Sequence, residues 1–150
     1  NYAITPFISF NLLTESPKVK NLIKWKTQKG ENGTYEVGKV RCGNQKIEVK
    51  VHNDAQKKLI EDYASNFEEH DKIARNLIWN DAKLWMDEPV SKEQLNRNLQ
   101  IWGISFYDDD TMDIGYEHKD FWADSAVFGD HSIDVEYYPK KKKGTISING

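Results

Sequence analysis

Histidines and carboxylates are the side chains of this 150-residue sequence that could support metal or acid–base chemistry. No two of the four histidines have the i, i+4 spacing of a helical zinc site, and the sequence contains no HExxH pattern. The best constellation for metal-dependent hydrolysis joins His131 to Asp113 and Glu117 of a neighbouring hairpin, because an imidazole and two carboxylates could together hold a metal ion. His131 also lies in phase with Ile133 and Val135, so a hydrogen-bonded core histidine is the competing interpretation.

Two shorter patterns resemble metal sites without meeting their requirements. Residues 109–120 have carboxylates at spacings similar to a calcium loop, but the sixth position is Ile114, where an EF-hand needs glycine. Glu48 and Lys50, with Glu36 upstream, resemble the acid-x-lysine arrangement of metal-dependent nucleases, although alternating charge is common on any solvent-facing strand. With neither a phosphate-binding loop nor a nucleophile elbow, the sequence predicts a protein that is not an enzyme and has no cofactor.

Negative charge is concentrated in the last third of the chain. Residues 108–138 contain ten acids and one base, Lys119, whereas residues 1–53 contain nine Lys or Arg and four acids. An acidic block disfavours phosphate backbones and speeds encounter with basic proteins, and aromatic rings within it can stack on the partner's Arg and Lys. The residues predicted to bind such a partner are Tyr107, Asp108, Asp109, Asp110, Asp113, Glu117, Asp120, Trp122, Asp124, Asp134, Glu136 and Tyr138.

Three alternating segments would position these acids. Residues 101–107 predict a strand with Trp102, Ile104 and Phe106 on its apolar side, and the three aspartates that follow predict a turn. Residues 112–116 and 131–138 predict two further strands, which end at a solvated turn of four lysines over residues 140–143. The apolar sides of these two strands are Met112, Ile114, Tyr116, His131, Ile133, Val135 and Tyr137. We therefore predict a sheet with one apolar face and one acidic face.

The first half of the chain predicts a meander followed by helices. Strands are expected over residues 22–26, 35–41 and 46–52, with a positively charged outer face and a bulge at Gly38. Asn53 or Asp54 would cap a first helix, a second would end near Pro89, and Ser91 would begin a third by a capping box. Leu99 is expected in the third helix. This order of elements predicts one α+β domain over residues 1–150, with a mainly antiparallel sheet and about three helices packed on one face.

Composition bounds the compartment and the class of partner. Cys42 is the single cysteine, so an internal disulfide is excluded and a reducing compartment is favoured. No apolar run approaches the ~20 residues of a membrane span, and the first residues lack the features of a signal peptide. We therefore expect a cytoplasmic protein that engages neither a membrane nor nucleic acid.

Five segments carry a resemblance to a protein family. They are Trp79–Asp81, Val90–Leu95, Tyr107–Asp110, Gly129–Val135 and Ile148–Gly150. Together they resemble an uncharacterised bacterial domain-of-unknown-function family, in which a Gly-x-His-Ser-Ile strand and a terminal Ile-x-Gly strand follow an aromatic, acid-rich hairpin. The resemblance covers residues 36–150 and departs at residues 126–128 and at the lysine turn, where a short Asp-Gly turn is usual. It implies a bacterial cytoplasmic protein and supplies no reaction.

In size, acidity and construction the chain is also similar to the immunity proteins that bacteria make against their own toxins. This similarity and the acidic block lead to the hypothesis of a non-catalytic immunity protein that neutralises a cationic toxin, most simply a nuclease, by binding it. Two alternatives remain open. One is the metal-dependent hydrolase that uses the hairpin carboxylates and His131, and the other is a housekeeping ligand-binding module, which a closed apolar pocket would indicate.

Overall fold

The structure, a computed structural model, describes residues 23–85, 91–119 and 132–149, and these form seven strands and three helices. The strands are β1 (Lys26–Gly30), β2 (Gly33–Cys42), β3 (Gln45–Val51), β4 (Leu99–Phe106), β5 (Met112–His118), β6 (Ser132–Tyr138) and β7 (Lys143–Asn149). The helices are α1 (Asp54–Ser65), α2 (Phe67–Trp85) and α3 (Lys92–Asn98). All neighbouring strands that share backbone hydrogen bonds are antiparallel, so the predicted α+β class is confirmed.

The first three strands form one sheet through two tight turns. Gly33 and Gly43 occupy these turns with φ angles of +110° and +65°, which glycine adopts because it has no Cβ. The prediction of a first strand over residues 22–26 was wrong. The hairpin pairs Lys26 with Val37 and continues to residue 30, so the strand lies further along the chain.

The predicted bulge at Gly38 was also wrong. The pairing of β2 with β3 runs without a break from Glu36–Val51 to Cys42–Gln45. A Cβ atom on Gly38 would instead lie 2.6 Å from Cγ2 of Ile23 and 2.9 Å from Cε3 of Trp25. Glycine is therefore needed here for the close packing of the segment that precedes β1.

The helices begin where side chains satisfy free backbone N–H groups. Asn53 accepts a hydrogen bond from the Gln56 N–H at 2.8 Å, and Ser91 accepts one from the Gln94 N–H at 3.1 Å, so both predicted N-caps are confirmed. The third helix ends at Asn98, and the buried Leu99 begins β4 rather than continuing the helix as expected. None of the described helices has the length and apolar character needed to cross a bilayer. The buried helical side chains are Gln56, Leu59, Ile60, Tyr63, Ala64, His70, Ala74, Ile78, Ala82 and Leu95.

The last four strands form a second antiparallel sheet in the order β4-β5-β6-β7. Its apolar side was correctly predicted on β5 and β6, where Met112, Ile114, Tyr116, Ile133, Val135 and Tyr137 are all at most 1% exposed. On β4 the prediction was wrong for Trp102. The pairing shifts between Ile101 and Gly103, so Ile101 and Ile104 are both buried while Trp102 is 55% exposed.

The two sheets lie side by side and share one core. Gln45 donates a hydrogen bond to Gln100 at 3.4 Å, and Asn53 donates one to Asp109 at 2.8 Å, which places β3 alongside β4 with both strands running in the same direction. The helices pack on one side of both sheets, and the buried side chains of sheets and helices form one cluster. We call the opposite side of the sheets the outer side.

The prediction of an exposed hairpin turn at residues 140–143 was correct for Lys140 to Lys142, whereas Lys143 begins β7. Residues 139–142 connect β6 to β7, and Lys142 adopts a φ of +52° within the turn. The Lys142 ammonium also lies 2.6 Å from the Glu69 carboxylate of α2. The charge of this turn is therefore partly directed toward the helical layer.

Candidate protein-binding face

Strand alternation places a group of carboxylates on the outer side of β5 and β6. Asp113 lies directly opposite Glu136 in the register, and Gly115 lies opposite Asp134. We call Asp113, Asp134 and Glu136 the acidic cluster. Glu117 follows on the same side of β5, where it accepts a hydrogen bond from Gln100 at 3.3 Å. Like charges on adjacent strands repel one another, so this cluster has an electrostatic cost for the stability of the folded chain.

Asp113 shows that cost most clearly. Burial, followed by the charges of Asp134 and Glu136, raises the pKa of the Asp113 carboxyl to about 6. Its Oδ1 atom is buried and has no hydrogen-bond partner among the described residues. A cationic group brought to this position would therefore supply both a counter-charge and a hydrogen-bond donor.

Two exposed aromatic side chains flank the acidic cluster. A Cβ atom on Gly115 would lie 2.5 Å from Nε1 of Trp102, so the indole covers the outer side of β5 between Asp113 and Glu117. Tyr107 is 58% exposed. The pKa of the Tyr107 phenol is raised, chiefly by the charge of Asp113 and then by burial and the charges of Glu136 and Asp134. Trp102 was absent from the predicted binding residues. The sequence signal that could have identified it was Gly103, because a glycine inside a strand pattern often marks a bulge.

The three aspartates of the β4–β5 turn are engaged in organising the turn itself. Asp108 accepts a hydrogen bond from the Asp110 N–H at 3.1 Å, and interactions with Asp110, first through its side chain, lower the pKa of the Asp108 carboxyl. Asp110 accepts one from the Thr111 hydroxyl at 2.8 Å. Asp109 accepts from Asn53, the residue that caps α1. These carboxylates thus lie at the end of the sheet, in a turn that these hydrogen bonds stabilise.

The remaining predicted binding residues fall into two groups. Tyr138 lies on the outer side of β6, and Lys141 of the following turn lies 5.7 Å from its ring centroid, so this ring already has a cation above it. Asp120, Trp122 and Asp124 lie outside the described residues.

The described members of the predicted hydrolase site, Asp113 and Glu117, do not converge on one point. Asp113 and Glu117 are four residues apart on one strand, which separates their Cα atoms by about 13 Å, a wide span for ligands of one metal ion. Among residues 23–85, 91–119 and 132–149 no group of three His, Cys, Asp or Glu side chains could hold a metal ion, and His131 lies outside these ranges. Glu36 pairs with Lys57 on the helix side at 2.7 Å, whereas Glu48 and Lys50 lie on the outer side, so this acid-x-lysine pattern does not converge.

Two core side chains with reactive chemistry, His70 and Cys42, are packed in the interior of the protein. His70 Nδ1 lies 2.6 Å from the Tyr137 hydroxyl, its ring stacks on Tyr63, and burial lowers its pKa. Burial, followed by the Asp71 charge, raises the pKa of the Cys42 thiol to about 12. A thiolate nucleophile is therefore not populated at neutral pH.

No protein-family model matches this chain, and no curated protein and no solved structure matches it. The feature that distinguishes the outer side of the second sheet is an acidic cluster with a partly buried member, Asp113, flanked by two exposed aromatic rings.

The contact between Trp102 and Gly115 can be tested by adding one methyl group. Gly115→Ala is expected to lower the free energy of unfolding by about 1–2 kcal/mol, because the new Cβ atom displaces the indole. Gly103→Ala is the matched control: its Cβ atom would meet nothing within 4 Å, so a change within about 0.5 kcal/mol is expected. Chemical denaturation measures both. An equal loss from Gly115→Ala in a Trp102→Ala background would contradict the assignment.

The raised pKa of Asp113 predicts a pH-dependent stability. A carboxyl with a higher pKa in the folded than in the unfolded chain binds protons more strongly when folded, so stability falls as the pH rises from 3.8 towards 6 and then levels off. Asp113→Asn removes the charge and is expected to raise the free energy of unfolding at neutral pH. After a discount for solvent screening we expect about 1 kcal/mol. Near pH 4 the two proteins should unfold alike, and an equal difference at both pH values would contradict this explanation.

Proposed function

We propose that this protein is a non-catalytic immunity protein, which binds a cationic toxin domain through the acidic cluster and the rings of Trp102 and Tyr107. The observation that carries the proposal is the partly buried carboxyl of Asp113, which lies beside Asp134 and Glu136 and beside two exposed aromatic rings. Arg and Lys side chains of a partner would stack on the rings and neutralise the cluster at the same time.

A nuclease is the toxin class that fits this surface best. Enzymes that act on nucleic acids carry basic clefts, because their substrates have a phosphate backbone of regular negative charge. A protein face with clustered carboxylates and planar aromatic rings resembles a nucleic acid in its negative charge and in its surfaces for stacking, so it would fit such a cleft. Binding there would keep the substrate out without any chemistry by the immunity protein. The proposal places the protein in the bacterial cytoplasm, where a toxin of this class reaches its substrate.

Capture from cells that contain the native gene tests the proposal. Immobilised wild-type protein is expected to retain a basic protein domain, and the purified domain is expected to cut DNA or RNA until an equimolar amount of wild-type protein is added. Asp134→Lys with Glu136→Lys should abolish both capture and inhibition. Glu31→Lys with Asp62→Lys is the matched control, because it reverses two exposed acids away from the acidic cluster.

Two results would contradict the proposal. One is a captured domain that remains fully active in the presence of excess wild-type protein. The other is equal capture by wild type and by the variant with lysine at positions 134 and 136, which would place the contact elsewhere.

A further inference from the structure

The outer side of the first sheet carries the opposite charge. The pairing of Lys26 with Val37 and of Val37 with Lys50 places these residues on that side, together with their neighbours two positions along each strand. A depression of about 540 Å³ lies on this surface. Its lining includes Lys26 of β1, Lys39 of β2, Lys46 of β3 and Lys24 of the segment before β1. The cations on or beside this surface are Lys24, Lys26, Lys39, Arg41, Lys46 and Lys50, and we call them the basic half. Glu48 is the acid among them.

The basic half and the acidic cluster belong to one continuous face. Because β3 lies alongside β4 and the helices cover one side of both sheets, the outer sides of the two sheets point the same way. Positive charge therefore lies on β1 to β3, and negative charge lies on β5 and β6, with Trp102 and Ser105 of β4 between them. The face has opposite signs on its two halves.

We propose that two copies of the chain associate face to face through this surface. A two-fold axis that runs along the strands between β3 and β4 would place β2 of one copy opposite β5 of the other, and β1 opposite β6. Under that operation the basic half of each copy contacts the acidic cluster of its partner. An isologous contact repeats every interaction, so this charge pairing forms twice in the dimer. A two-fold axis across the strands would oppose like charges, so charge selects the first arrangement.

The dimensions of the face are adequate for such a dimer. The six strands that the two-fold axis places opposite each other, β1 to β6, are spaced about 4.8 Å apart and are about seven residues long. They cover roughly 29 Å by 23 Å, hence about 660 Å² per copy and about 1,300 Å² in total. That value is typical of specific protein–protein interfaces. Trp102 lies close to the proposed axis, where an aromatic side chain would be best excluded from water.

Self-association would also regulate access to the acidic cluster. The dimer covers the residues that the proposed function assigns to toxin binding, so a toxin would have to compete with a second copy. The inference does not depend on the proposed function, since the oligomeric state of the purified protein can be measured with no toxin present.

Sedimentation equilibrium of the full chain at about 20 mM and about 500 mM salt tests the dimer. Added salt shortens the Debye length and so weakens the attraction between the charges of the two copies. We expect a dimer at low salt and a monomer at high salt. Lys26→Glu with Lys39→Glu, and separately Asp134→Lys with Glu136→Lys, should each weaken dimerisation about 100-fold. An equimolar mixture of these two variants should restore a one-to-one dimer, since each then supplies the charge that the other needs.

Lys58→Glu with Lys72→Glu is the matched control, because it reverses two exposed lysines of the helical layer, and it should leave the dimer intact. A wild-type protein that stays monomeric at about 100 µM in low salt would overturn the proposal. A dimer that survives both pairs of reversals, or a mixture that stays monomeric, would also overturn it. A monomer that binds a labelled single-stranded oligonucleotide through Lys26 and Lys39 would overturn it by assigning the basic half to a polyanion.

Discussion

Asp134→Lys with Glu136→Lys is expected to lower the rate constant for association with the proposed cationic toxin domain about ten-fold or more at low ionic strength. Both side chains lie on the outer side of β6, beside Asp113 and within the field that would attract a basic partner. Reversal of two charges changes the sign of the local potential, so the long-range attraction becomes repulsion. Stopped-flow mixing or surface-based kinetics would measure the effect.

The salt dependence of the same reaction provides a second, independent readout. Association of the wild-type protein should slow as salt is added, whereas association of the double variant should become insensitive to salt or slightly faster. Glu31→Lys with Asp62→Lys changes the net charge equally and should keep the steep salt dependence of the wild type. If this control variant and the double variant behave alike, net charge rather than the acidic cluster governs the encounter.

Asp71→Ala is expected to lower the free energy of unfolding by about 3 kcal/mol. Asp71 accepts a hydrogen bond from the Tyr116 hydroxyl at 2.6 Å and a charge-assisted one from Arg75 Nε at 2.9 Å. The two other guanidinium nitrogens of Arg75 donate to the carbonyls of Asn96 and Leu99, at 2.7 Å and 3.1 Å. Removal of the carboxylate leaves a buried hydroxyl and a largely buried guanidinium without their acceptor. The junction of α3 and β4, and hence the start of the strand that carries Trp102, depends on this group.

A double-mutant cycle separates this network from a general effect of the substitution. Tyr116→Phe removes the buried donor, so Asp71→Ala should cost clearly less in that background than in the wild type. Asp62→Ala is the control, because Asp62 is exposed on α1 and should change stability by less than about 0.5 kcal/mol. Equal losses from Asp71→Ala in both backgrounds, measured by chemical denaturation, would show that Tyr116 and Asp71 do not interact.

Local rules accounted for those elements whose signals lie within a few residues. Ser91 was recognised as a helix cap, and the cap of α1 was narrowed to Asn53 or Asp54, because a capping side chain bonds an N–H only three residues away. The alternation from Met112 to Tyr116 and from Ile133 to Tyr137 identified the buried side of two strands, since side chains on a strand alternate between its faces. Local rules failed at Gly38 and at Trp102, where the outcome depends on which distant segment lies opposite.

Reading the amino-acid sequence alone was sufficient to predict the α+β class, the helix caps, the turn of lysines, and the carboxylates on one side of β5 and β6. Each follows from chemistry between near neighbours or from the two-residue period of a strand. Three arrangements are visible only in the folded chain: Trp102 lies beside Asp113, Asp71 joins Arg75 to Tyr116, and the basic half shares one face with the acidic cluster. These arrangements depend on strand register and on the placement of β3 next to β4, which are set by contacts between residues 40 to 60 positions apart in the chain.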